Sequence, residues 1–76
     1  MGDAQVIAVV RKNNSQEVRV SVARHAGYAL VDMRVFEAPR RGSGEPLATK
    51  AGICVVRDQL PALIEALQAA EREASQ

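Results

Sequence analysis

The sequence predicts an α+β domain: four antiparallel strands followed by one C-terminal amphipathic helix (β-β-β-β-α), assembled as a homodimer. Three observations carry that expectation. Apolar residues alternate with period two through residues 17–37, the spacing turns helical after residue 58, and the apolar complement is thin for a chain of 76 residues. The whole of 1–76 reads as a single domain, with strands at about 5–11, 17–25, 28–37 and 52–56, a loop at 38–49 and a helix at about 58–74.

Val6-Ile7-Ala8-Val9-Val10 is a short, mostly β-branched run that ends at Arg11-Lys12-Asn13-Asn14-Ser15. Two Asn and a Ser in succession read as a turn, because their side chains bond the local backbone. From Val18 the chain alternates, with Val18, Val20 and Val22 on one face and Arg19, Ser21 and Ala23 on the other. Such alternation marks a strand with one covered and one open side. After Gly27 a third run places Ala29, Val31, Met33 and Val35 together, opposed by Tyr28, Leu30, Asp32, Arg34 and Phe36. Two alternating runs joined around a glycine predict a β-hairpin.

Residues 38–49 break the pattern. Pro39, Gly42, Gly44 and Pro46 oppose regular structure, while Arg40-Arg41, Ser43 and Glu45 keep the segment hydrated. A loop of this length is long for a compact domain and suggests function or mobility. Gly52-Ile53-Cys54-Val55-Val56 then forms a fourth strand, apolar throughout. Leu60, Leu63, Ile64 and Leu67, continued by Ala70 and Ala74, recur at helical spacing. They define one apolar stripe on a helix of about four turns. Asp58 suits the positive end of the helix dipole, and Pro61 is tolerated near the first turn, where amide donors have no helical partner.

Thirteen Ala and ten Val, with one Phe, one Tyr and no Trp, leave few large side chains to bury. Domains this small usually need disulfides, a metal or a second subunit. A single cysteine, Cys54, allows no internal disulfide, and one Cys with one His cannot complete a structural zinc site. That leaves oligomerisation. The face of Val18, Val20, Val22, Val31, Met33 and Val35 is expected to take the helix, the other face to stay open, and the stripe Leu60, Leu63, Ile64 and Leu67 to form the dimer interface. Neither a membrane-length apolar run nor the pattern of a secretory signal is evident, so a reduced cytoplasmic setting is expected.

The formal net charge of +1 is a cancellation. Residues 1–57 hold nine of the ten Lys and Arg against five acidic residues, a balance of +4; residues 58–76 hold Arg72 against four, a balance of −3. Such asymmetry hints at a polyanion partner for the strand region. No Ser/His/Asp or Cys/His arrangement, glycine-rich phosphate loop or metal-ligand spacing supports catalysis, so no enzyme activity and no cofactor are expected. Cys54 reads as a buried small hydrophobe, His25 as a hairpin histidine or a nucleic-acid contact, and Asp32 with Arg34 as an ion pair on a sheet face. The open face would carry Arg19, Ser21, His25, Tyr28, Arg34 and Phe36, with Arg24 and Lys50 at its margins. Cations that track a backbone beside planar groups suit single-stranded nucleic acid. A solvated or partner-covered face is the other reading, and composition leaves both open.

Val18-Arg-Val-Ser-Val, Gly27, Leu30-Val-Asp-Met-Arg34-Val-Phe, Thr49-Lys50-Ala51-Gly52-Ile and Leu60-Pro-Ala-Leu-Ile-Glu-Ala-Leu67, in that order, resemble the transcriptional positive cofactor 4 family. The resemblance spans roughly residues 6–70. It implies a curved four-stranded sheet with a C-terminal helix, dimerised through the helices, that binds single-stranded DNA on the sheet surface as a transcription coactivator. Arg34 stands at the family's backbone-contacting strand arginine, Lys50 at the first of two basic positions before the family's glycine, here Gly52, and Gly27 at the hairpin glycine. The family's aromatic-basic-Gly-basic hairpin is here His25, Ala26, Gly27 and Tyr28; the later basic pair is Lys50-Ala51; and Glu37 replaces a stacking aromatic next to Phe36. Arg24, Arg40, Arg41 and Tyr28 are available to compensate.

The expectation is therefore a homodimer binding single-stranded DNA, or RNA, through Arg24, His25, Tyr28, Arg34, Phe36 and Lys50, without base-specific readout and without contact with membranes. Its setting would be transcription regulation, with the transcription machinery as a further partner, in the bacterial cytoplasm at the nucleoid. The alternative is a protein-interaction dimer of the same fold that has lost strong DNA binding, motivated by the missing hairpin cations.

Overall fold

The structure, a computed structural model, describes residues 4–39 and 44–76. Strands β1 (Gln5–Arg11), β2 (Gln16–His25), β3 (Tyr28–Glu37) and β4 (Leu47–Val56) form one antiparallel sheet in the order β1-β2-β3-β4. A 3-10 turn (Arg57–Gln59) leads into helix α1 (Leu60–Ala74). The expected antiparallel β-β-β-β-α architecture is present. Arg40 and Arg41 lie outside the described residues.

Each turn follows from its residues. In the β1–β2 connection the Ser15 amide donates to Asn13 Oδ1 at 3.0 Å, and the Lys12 and Asn13 amides both donate to the Gln16 carbonyl. The β2–β3 hairpin closes through Ala26 and Gly27, at φ +50° and +83°. Positive φ at both central residues is the arrangement that matches the right-handed twist of the strands. It suits Gly27 and strains Ala26, since the left-handed region costs an ordinary L-residue ~1–2 kcal/mol. Asn tolerates that region, so Ala26→Asn should stabilise the domain by about 1 kcal/mol and raise Tm by roughly 4–8 °C. Calorimetric melting curves of the two proteins check it.

β2 and β3 pair residue for residue from Gln16–Glu37 to His25–Tyr28 without a slip. The outer ladders are irregular: β1 slips at Ile7, and β3–β4 slips between Arg34 and Phe36. Bulges bend the bulged strand and increase its twist, so both edges of the sheet curve away from a regular centre. β4 begins at Leu47 rather than near residue 52, because pairing resumes beyond the second bulge with Phe36–Ala48 and Glu37–Leu47. The β3–β4 connection is shortened accordingly.

The helix does not lie on the valine face. Beyond isolated residue pairs α1 touches no strand; the 3-10 turn rests against β3 and carries the chain out past the sheet. Among the described residues only Val31, 7% exposed, is buried. Cys54, expected inside, is exposed, because β4 is an edge strand that nothing covers. Leu60 and Leu63 are half-buried, whereas Ile64 and Leu67, farther along the stripe, are 47% and 55% exposed.

The chain is correspondingly open. Its radius of gyration is 14.3 Å, against about 11 Å for a compact domain of this length. Its accessible surface is 6329 Å², where a compact monomer of this mass would show roughly 4,500 Å². No helix among the described residues is long and apolar enough to cross a membrane.

Candidate nucleic-acid interface

The unbroken β2–β3 register decides which side chains share a surface. On β2, Glu17, Arg19, Ser21, Ala23 and His25 face the same way; opposite them on β3 stand Phe36, Arg34, Asp32, Leu30 and Tyr28. His25 and Tyr28 are a cross-strand pair at the hairpin end, with Tyr28 63% exposed. Phe36 lies eight residues along β3, ~26 Å from Tyr28 at the rise of a strand. Two planar groups thus stand at the ends of one strip, with two arginines between them. Arg24 is not part of it. It pairs with Ala29 on the valine face and borders a cleft of about 370 Å³ with Tyr28 and Arg57.

Arg19 and Arg34 are direct cross-strand neighbours. Like charges opposite one another are unfavourable, and each is offset by a carboxylate two residues back on its own strand. Arg19 Nε donates to Glu17 Oε2 at 2.5 Å, and Arg34 donates to Asp32 through Nη2 (2.7 Å) and Nε (3.3 Å). The hydrogen bond to Asp32 is the main cause that holds the Arg34 pKa above its ordinary value, and burial opposes it. The guanidinium stays charged at every accessible pH. Arg19 Cζ also lies 4.3 Å from the Phe36 ring centroid, a cation–π stack that leaves one planar surface built from both side chains.

The remaining donors of Arg34 reach β4. Nη1 donates to the Lys50 carbonyl at 3.2 Å and, at the limit of bonding, to that of Thr49 at 3.5 Å. This is the bulge: between the pairs Arg34–Gly52 and Phe36–Ala48, β3 has the single residue Val35, while β4 has Thr49, Lys50 and Ala51. Thr49 Oγ1 fastens it, donating to the Val35 carbonyl at 2.8 Å and accepting from the Ala51 amide at 3.2 Å. Gly52 closes the ladder below. A Cβ there would overlap the Met33 carbonyl oxygen, sit 2.9 Å from Arg34 Cα and lie 3.1 Å from Arg34 Cζ. Lys50 is left exposed at the edge of the strip. Glu37, which the resemblance sets in place of the family's stacking aromatic, accepts a hydrogen bond from Gln16 Nε2 at 3.2 Å.

Solved structures with the same fold exist. The orthorhombic crystal form of a PC4 homolog from Burkholderia pseudomallei superposes with a TM-score of 0.80 and 31% identity, over 93% of this chain and 93% of that one. The chain belongs to the PC4 family. The tetragonal form of the same Burkholderia protein gives a TM-score of 0.78 and 29% identity, over 91% of this chain and 98% of that one. No family profile and no curated protein matches the sequence.

Within this PC4-family fold the structure brings His25, Tyr28, Arg34 and Phe36 onto one surface, sets Lys50 at its margin and puts Arg24 behind it. Alternation alone places Arg19 on the open face, but its stacking on Phe36 and the part played by Glu17 come from the three-dimensional arrangement. A signal for them is present in the sequence: Glu17-x-Arg19 repeats the spacing of Asp32-x-Arg34 on the neighbouring strand. Among the described residues no cluster of three His, Cys, Asp or Glu side chains could hold a metal.

Proposed function

We propose that this PC4-family protein binds single-stranded DNA across the open sheet face as a homodimer, as a transcription coactivator or regulator in the bacterial cytoplasm at the nucleoid, with no catalytic step. The register supports this reading above all, since it gathers His25, Tyr28, Arg19, Arg34 and Phe36 on one exposed strip. Planar groups that stack with any base, beside cations that follow a phosphate chain, give affinity with little dependence on sequence. The dimer is supported by the exposed stripe of α1 and by the accessible surface of the single chain. Its excess over a compact monomer, roughly 1,800 Å², is more than one partner contributes to a standard interface.

Both strip arginines are already paired with carboxylates, so Lys50 is the strip's readiest phosphate ligand. Lys50→Ala should flatten the plot of log affinity against log salt by about 0.7. Arg34→Ala should weaken binding more, because it also releases the bulge that carries Lys50. Fluorescence titration of a mixed-sequence oligonucleotide at several salt concentrations measures both. A matched RNA strand as competitor separates DNA from RNA binding. No binding at low salt would overturn the proposal in favour of a protein-interaction dimer of the same fold.

A further inference from the structure

At the end of the strip opposite the hairpin lies a cleft of about 320 Å³ between the β1–β2 turn and β3. Val9, Phe36 and Pro46 form its apolar walls, and Glu17, Arg11 and Asn14 its polar ones. At about 320 Å³ the cleft is large enough to admit a purine ring. Phe36 borders the cleft; Arg19, which stacks on the Phe36 ring, does not. A planar ligand entering here would extend the Arg19–Phe36 stack by one layer.

The unusual wall is Glu17. A carboxylate repels phosphate, so beyond offsetting the Arg19–Arg34 repulsion Glu17 does nothing for the strand's backbone, whereas a base edge can use it. Arg19 fixes its position by occupying Oε2, while Oε1 takes no hydrogen bond from the described residues. An ionised carboxylate accepts at about four lone-pair positions, so one bond from Arg19 leaves it able to receive a further pair of donors. Guanine alone among the common bases presents two adjacent donors, N1–H and N2–H, on its pairing edge. Adenine and cytosine place a ring-nitrogen acceptor beside their single donor, and thymine and uracil flank theirs with carbonyl oxygens; each of those acceptors would face the carboxylate. Arg11 and Asn14 supply donors on the same cleft for guanine O6 and the attached phosphate.

We infer that this cleft is a guanine-selective subsite, in which Phe36 stacks the base and Glu17 accepts its N1–H and N2–H. The inference rests on the strand-binding reading and deepens it: most of the strand is held without regard to sequence, and one position prefers guanine.

The test uses the full chain with dT12 itself and dT12 strands carrying one central dG, dA or dC, which avoids self-association of guanine runs. The dG strand should bind tighter than the other three by roughly tenfold, the discrimination of one good bidentate contact. Glu17→Gln, which replaces one acceptor by a donor, should bring the four strands together, and its amide NMR spectrum shows whether the fold persists. A parallel titration with GMP, followed through the Phe36 ring resonances, should show saturable shifts that CMP does not produce. Strands bound with equal affinity, or a dG preference that survives in a folded Glu17→Gln protein, would overturn the subsite and leave general strand binding standing. GMP shifts without binding of any dT12 strand would support the subsite and remove strand binding. Silence in both titrations would overturn both.

Discussion

Gly52→Ala is expected to cost about 3 kcal/mol of stability, toward the upper end for a group forced into packed surroundings. The added methyl would overlap the Met33 carbonyl oxygen and crowd Arg34 Cα, both of them backbone atoms on the neighbouring strand. Flexible side chains can turn aside; a paired strand can only separate. The ladder should therefore open at the Arg34–Gly52 pair, and the bulge at Thr49–Ala51 should lose the Arg34 and Thr49 bonds that shape it. Against a total of roughly 4–11 kcal/mol for a domain of this length, that is a large fraction. Urea unfolding gives the energy, and hydrogen exchange at Ile53 and Ala51 gives the place. A variant whose urea midpoint and exchange equal those of the parent would show that the close approach at Gly52 is relaxed in solution.

A second change acts on the helix. Ile64→Asp combined with Leu67→Asp should abolish the dimer and with it most of the folded population. These side chains are 47% and 55% exposed on the single chain, and no strand covers them. Full burial of such a side chain contributes ~1.5–3 kcal/mol and about half of each remains to be covered, so the four in a symmetric dimer account for roughly 3–6 kcal/mol. With one buried residue among the described residues of each chain, the core itself contributes little. The parent should sediment as a dimer at micromolar concentration with a Tm that rises with protein concentration. The double variant should sediment as a monomer and show no cooperative melting. A parent that sediments as a folded monomer of 8.2 kDa would remove the dimer from the proposal.

The two regions differ in how much local sequence says about them. In β2 and β3 the valines follow the alternation, and the observed pairing from Gln16 to Glu37 agrees because a one-residue slip would turn every valine outward. The hairpin was equally legible, since Gly27 takes a backbone conformation that glycine adopts freely. β4 was legible only in its apolar half. Leu47-Ala-Thr-Lys-Ala carries no alternation because three of its residues form a bulge, and the bulge exists only through bonds from Arg34, fifteen or more positions earlier. The Asp32–Arg34 pair was legible in the sequence and is present, but the bonds from Arg34 to the β4 carbonyls were not, because they depend on the same bulge.

By itself the sequence determined the order of elements, the split between a basic strand region and an acidic helix, and the likeness to the PC4 family. The first two depend on periodicity and composition and the third on particular residues in order, all of which the local chain sets. Only the tertiary structure decided that α1 stands clear of the valine face, that Cys54 is exposed, and that Glu17, Arg19 and Phe36 form one cleft wall and its stack. Each of these depends on register across strands or on the direction in which a three-residue turn sends a helix. Such outcomes arise from contacts between distant segments, which no local window of residues contains.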